Sequence, residues 1–245
     1  MWNWIQRFSS PKHFYRMSAP LINWFAIGAL LIGVYGLYLG LFVAPTDYQQ
    51  GESYRIIFIH VPAAWMSMFV YMVMAVTSGI GIIWQIRLAD MVAAASAPIG
   101  ASFAFLALVT GSLWGKPMWG AYWVWDARLT SELILLFLYL GYMALQSAIE
   151  DQRSADKASG LLAIVGVVNI PIIHYSVEWW NTLHQGATVT KFDKPSMHID
   201  MLIPLLLMAL AFKLFYAAVV LVRTRNEALY RDRNRRWVRE LIEKL

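Results

Sequence analysis

The sequence has no cysteine among its 245 residues. That excludes disulfides, thiolate metal sites and a thiol nucleophile. Charge is scarce as well, at 14% Asp, Glu, Lys and Arg against about 25% in a soluble domain. No glycine-rich loop of the phosphate-cradling kind occurs, which argues against ATP or GTP hydrolysis by this chain. No internal repeat of the type that builds many transporters is present. The N-terminus, MWNWIQRFSSPKHFYRMSAP, lacks the short apolar core and small-residue cleavage site of a signal peptide. It reads as a retained cytoplasmic or interfacial segment, a short amphipathic helix on the membrane.

What the chain has instead is apolar surface, with 59% of residues hydrophobic, more than one globular core can hide. Crossing a bilayer as a helix takes roughly 20 mainly apolar residues. Six stretches meet or approach that length: Leu21–Val43, Val61–Trp84, Met91–Leu113, Leu129–Ile149, Leu161–Val177 and Met201–Val222. Backbone groups in lipid must pair locally, so each is read as a helix. Pro98 and Pro171 predict kinks in the third and fifth. The segment Gly36-Leu-Tyr-Leu-Gly40 fits the small-x-x-x-small packing pattern.

Lys and Arg set the orientation. Arg7, Lys12, Arg16, Arg87, Arg153, Lys157 and eight more cations from Arg223 to Lys244 share one side, while Arg55, Lys116, Arg128, Lys191 and Lys194 share the other. The expected fold is an all-α membrane protein, six transmembrane helices with both termini cytoplasmic. It divides into an N-terminal segment 1–20, a membrane domain 21–222 with an outer loop 114–128, and a basic tail 223–245. The net charge of +5 is concentrated beside a hydrophobic segment, which points to anionic lipid rather than nucleic acid. The tail is read first as an interfacial anchor and second as a docking helix for a cytoplasmic partner.

The outer side carries an unusual concentration of aromatic residues. Residues 114–128 read WGKPMWGAYWVWDAR, which holds four of the chain's 12 tryptophans: Trp114, Trp119, Trp123 and Trp125. Tryptophan ordinarily gathers at membrane interfaces, and Trp65 and Trp84 are read that way. In the outer stretch a helical turn from Gly120 would place Trp119 and Trp123 on one face, with Trp125 bent beside them, a platform for a flat apolar ligand. Asp126 suits either a cap on the fourth span or ligand contact. Glu132, one turn into that span, pairs with Arg128 or lines the site.

Four of the five histidines, His60, His174, His184 and His198, fall near outer segments, with His184 beside Trp179 and Trp180. Pro62 reads as a helix starter just after His60. Two imidazoles from separate segments are the usual axial ligation of heme iron. Heme is flat and carries two carboxylates, for which Arg55, Lys116 and Arg128 are the nearest outer cations. Without cysteine any such heme is held non-covalently, as heme b. Residue chemistry alone does not select two histidines from the four.

The run Trp119-Gly120-Ala121-Tyr122-Trp123-Val124-Trp125-Asp126 resembles the tryptophan-rich WWD signature, W-G-x-x-W-x-W-D, of heme-handling membrane proteins of cytochrome c biogenesis. The span count, the length, a histidine before the second span and a histidine in the last outer loop are similar to the CcmC branch. That resemblance implies iron ligation by His60 and His184; taken with the residue chemistry above, it puts Trp114, Trp119, Trp123, Trp125 and Asp126 around the heme and Arg55 and Arg128 at its propionates. It further implies delivery of heme, at the periplasmic face of a bacterial inner membrane, to a membrane-anchored chaperone of the CcmE type. The implied company is a small single-span protein of the CcmD type and ABC transporter subunits of the CcmA and CcmB types, which supply any ATPase activity, so this chain is not itself an enzyme. The competing readings are a b-type cytochrome or quinol-linked electron carrier, which would need a histidine pair inside the bundle, and a small-molecule transporter.

Overall fold

A computed structural model describes residues 9–180, 182–184, 186, 188–189 and 194–243. Arg7 with most of the N-terminal stretch, Lys191 and Lys244 lie outside them. Among the described residues the protein is helical without strands. Helix α1 spans Pro11–Tyr38 and runs into a π turn at Leu39–Val43. A 3₁₀ turn, Glu52–Ile56, leads into α2, Ile57–Trp84. Then come α3 (Arg87–Trp119), α4 (Ala127–Ala148), α5 (Gln152–Gly166), α6 (Asn169–Trp179), α7 (Ile199–Arg231) and α8 (Arg236–Ile242). Six segments are long and apolar enough to cross a membrane, α5 and α6 together forming the fifth.

Helices α2, α3 and α4 make the centre of the bundle, α7 closes it against α2 and α3, and α1 lies outermost on α7. Glycines set the close approaches. A Cβ on Gly36 would stand 3.2 Å from Leu207 and Met208 of α7, and one on Gly40 would stand 2.6 Å from the Phe58 ring. The Gly36/Gly40 pair thus packs against two different helices. Gly100 and Gly166 are sockets for the buried Tyr139 and Tyr71, whose rings meet edge-on at 5.1 Å. Tyr139 donates to the Ser67 carbonyl at 2.7 Å, so its hydroxyl is not stranded in the apolar centre.

Three boundaries differ from the sequence expectation, each for a local reason. Helix α2 begins at Ile57, so His60 lies in its first turn and Pro62 inside it rather than at its start. Helix α3 runs unbroken through Pro98 and Pro117 to Trp119, which makes Trp114–Trp119 helical rather than loop. The fifth span breaks before Pro171. With no N–H, Pro171 cannot bond the Val167 carbonyl; Ile170 donates to it instead at 2.9 Å, and the chain tightens into a turn at Val167–Val168.

At the end of the bundle away from His60, polar residues staple the helices together. Arg231 grips Asp156 through two N–H groups at 2.7 and 3.0 Å, Arg87 pairs with Asp232 at 2.9 Å, and the Trp237 indole donates to the same carboxylate at 3.0 Å.

Candidate functional site

A cleft opens where the first turns of α2, the last turns of α3, the start of α4, the middle of α6 and the loop that follows α6 converge. Its space, with the open mouth and adjoining solvent included, is about 950 Å³. His60, Trp65, Trp114, Trp119, Arg128, His174 and His184 line it, together with Gln50 and loop residues Leu183, Gly186, Thr188 and Val189.

Helix α2 fixes His60. Its Nδ1 lies 3.0 Å from the Thr110 hydroxyl, and that hydroxyl donates its own hydrogen to the Leu106 carbonyl at 2.6 Å. The Thr110 oxygen therefore accepts from His60 Nδ1–H, which leaves Nε2 as the basic nitrogen. Trp114 meets the imidazole edge-on at 5.7 Å, and its own N–H is anchored on Gln50 at 3.1 Å. Gly111 makes room for the ring, since a Cβ there would come within 2.9 Å of Cε1.

His184 repeats the arrangement on a loop. Its Nδ1 stands 2.7 Å from Asp126 Oδ2, which also receives the Thr182 hydroxyl at 2.6 Å. Thr182 Oγ1 in turn accepts the His184 backbone N–H at 3.1 Å. Trp119 closes on this imidazole at 4.7 Å. Asp126 serves two purposes at once, because its Oδ1 accepts the Leu129 N–H at 2.8 Å and caps α4. Burial pushes the Asp126 carboxyl up, but the Thr182 hydroxyl, the Leu129 amide and His184 outweigh that and hold it below the ordinary carboxylate range. Burial likewise keeps His184 below the usual imidazole value, against the pull of Asp126. The pair is a neutral imidazole donating to a carboxylate, again with Nε2 left basic.

Not every residue expected at the site reaches it. Trp123 and Trp125 pair edge-on at 5.3 Å outside the cleft lining, and Trp125 is 76% exposed. The expected helical turn from Gly120 is absent: Gly120 adopts φ 77°, ends α3 and swings the chain away. Arg55 pairs with Glu52 and donates to the Gly40 carbonyl at 2.8 Å, so it secures the π turn of α1 rather than the cleft. Lys116 turns back to the Gly120 carbonyl at 2.9 Å. His198 caps α7 from an exposed position. Glu132 is buried, and its Oε1 has no hydrogen-bond partner among the described residues.

Arg128 does line the cleft, and among the described residues it forms no ion pair. Sequence reasoning missed Thr110 and Trp65, and left His174 open. Thr110 is 50 residues from His60, so no local pattern joins them. Thr182 carried a readable signal, a hydroxyl two residues before a histidine, the spacing of a side-chain-to-backbone turn.

Three-residue clusters of His, Cys, Asp or Glu able to hold a bare metal ion do not occur among the described residues. Two imidazoles suffice where a macrocycle brings the remaining ligands. A family model described as "CcmC: Heme exporter protein C" matches residues 4–239. The chain is 51% identical over 245 residues to Heme exporter protein C of Haemophilus influenzae, covering all of both chains. It is 52% identical to Heme exporter protein C of Escherichia coli strain K12, covering all of this chain and 98% of that one. Heme exporter protein C of Paracoccus denitrificans is 43% identical over 224 residues, which cover 91% of this chain and 92% of that one.

Proposed function

The chain belongs to the heme exporter protein C family, and on that premise we propose that it holds heme b in the outer cleft and hands it on during cytochrome c maturation. His60 and His184 are the iron ligands. The observation that carries this assignment is their matched support: each Nδ1–H is consumed by a protein acceptor, and each Nε2 is left basic in a cleft with a tryptophan at its side. Imidazoles prepared in this way are metal ligands with tautomer and ring direction already chosen.

The other cleft residues divide the remaining work. Trp114, Trp119 and Trp65 offer aromatic surface to a flat apolar ring. Arg128 lines the cleft at the start of α4 and forms no ion pair among the described residues, so it is suited to a bidentate bond with a propionate. Arg55, Trp123 and Trp125 belong to the surroundings of the site rather than to its lining. The cleft is open and one ligand rides on a loop, which suits a cargo that must leave. The chain binds, orients and releases; it makes and breaks no covalent bond.

The recipient is a membrane-anchored chaperone of the CcmE type on the periplasmic side of the inner membrane. A CcmD-type single-span protein and CcmA- and CcmB-type transporter subunits complete the assembly. The lysine and arginine distribution supports this orientation. Purified His60→Ala and His184→Ala proteins should each lose most copurifying heme and the parent's absorption bands. Parent-like heme content and bands in both would remove the ligand assignment.

A further inference from the structure

At the opposite end of α1 the protein has a second cleft, lined by Lys12, Tyr15, Arg16, Ala19, Arg225, Trp237, Glu240 and Leu241. We propose that it binds the phosphate of one anionic phospholipid, with the acyl chains laid along α1.

Three cations from two distant parts of the chain meet here. Lys12 and Arg16 lie four residues apart on α1, hence on one face. Arg225 arrives from the end of α7, its guanidinium 3.8 Å above the Tyr15 ring and bonded to the Tyr15 carbonyl. That double hold fixes Arg225 while leaving further N–H groups to donate. The tail helix α8 closes the cleft, with the Trp237 ring 5.8 Å from Tyr15 and its indole N–H tied to Asp232. Glu240 is the single carboxylate in the lining, and Arg236 already takes it at 2.6 Å. Like charges four residues apart on a helix repel. Gathering a third beside them, with no second carboxylate in the lining among the described residues, favours an anion in their midst.

The source of that anion is read from the rest of α1. Successive turns on the face that carries Lys12 and Arg16 present Ile27, Leu30 and Val34, exposed at 53%, 65% and 61%. The opposite face, with Gly28, Gly33 and Gly36, is the one that packs on α7. A basic cleft at the membrane surface continuing into an apolar stripe matches a phospholipid, whereas a free phosphate ion would use only the cleft. Basic pockets of this kind between helix ends recognise anionic headgroups. The site lies on the side that the positive charges assign to the cytoplasm, and it does not depend on the heme assignment.

Lipid retention by the full chain purified in detergent tests this. Native mass spectrometry should show phosphatidylglycerol or cardiolipin retained over phosphatidylcholine in the parent. Lys12→Gln/Arg16→Gln should reduce that retention about tenfold, while Arg153→Gln/Lys157→Gln should leave it unchanged. Lys12 and Arg16 are exposed, so their neutralisation leaves the packed bundle intact, and monodisperse elution checks this. Should the double variant aggregate, Lys12→Gln alone is read the same way. Equal retention in parent and variant, or equal retention of zwitterionic lipid, overturns the proposal. Binding of inorganic phosphate that matches and displaces the lipid overturns the lipid assignment in favour of a free anion.

Discussion

His60 and His184 face one cleft from supports of opposite kind. His60 stands in the first turn of a 28-residue helix, with a neutral hydroxyl behind it. His184 stands on a loop, with a carboxylate behind it and a threonine turn holding its backbone. The first is fixed by the fold. The second is fixed by a polar cluster, each bond of which is worth only about 1 kcal/mol net, rising toward about 1.5–3 where a charge takes part. A hydroxyl acceptor leaves an imidazole close to its intrinsic basicity; a carboxylate enriches it. Under the proposed ligation the two sides trade rigidity against electron donation: a firm, weaker ligand on α2 and a stronger one on the loop, held only by side-chain bonds. That is a workable design for a carrier, since opening the loop side alone frees one face of the ring.

The comparison breaks most sharply at Asp126, where the largest effect is expected. Asp126→Ala removes both the His184 acceptor and the α4 cap, so heme affinity should fall on the order of 100-fold and stability by about 1 kcal/mol. Asp126→Asn keeps an acceptor for the Leu129 amide but not the charge. It should retain the parent's thermal midpoint while losing a large part of the affinity. Heme titration followed by absorbance, paired with thermal melts, separates the two roles. An Asn variant with parent-like affinity would show that shape, not charge, is what His184 needs.

Thr110→Val probes the other side and should cost less. The isosteric methyl removes the acceptor from His60 Nδ1–H, but helix α2 still aims the ring. About a tenfold loss of heme affinity is expected, with the bundle intact, because Thr110 otherwise bonds only its own helix. If this variant lost more heme than Asp126→Ala, the assignment of the firmer ligand to α2 would be reversed.

The spans and the family were legible in the sequence because apolar length and the tryptophan-rich run are local properties. The six spans appear where composition put them, and the W-G-x-x-W-x-W-D run begins at Trp119, which lines the cleft. The ends of elements were not legible. The positive φ at Gly120 decides that Trp119 turns into the cleft while Trp123 and Trp125 turn out of it, and both outcomes fit the same eight letters. Arg55 was read as a propionate partner from proximity in sequence. The π turn that claims it leaves no trace in composition, since it depends on how α1 meets the start of α2. Thr110 was invisible as the partner of His60 for the same reason: only the packing of α2 against α3 brings the two together. Asp126 was readable as a cap or as a site residue, and the structure shows it capping α4 while it holds His184.

The smallest effect in this set tests how rigid the α2 side is. Gly111 has no side chain where His60 needs space, and a Cβ there would lie 2.9 Å from the imidazole Cε1. Gly111→Ala must therefore push the ring by a few tenths of an ångström. The Thr110 bond and the helix resist that movement, so the cost is a mildly strained rotamer, about 0.5–1.5 kcal/mol, or roughly a two- to tenfold loss of affinity. The substitution also favours the helix itself, alanine being better than glycine in an interior by about 1 kcal/mol, so the thermal midpoint should not fall. Gly79→Ala, where the nearest atom is 4.0 Å away, supplies the control with the same helical gain and no contact. A shift in the heme absorption bands in Gly111→Ala but not in Gly79→Ala would show that His60 has almost no room to yield. Identical spectra in both would show that the α2 side is as compliant as the loop, and the contrast between the two supports would fail.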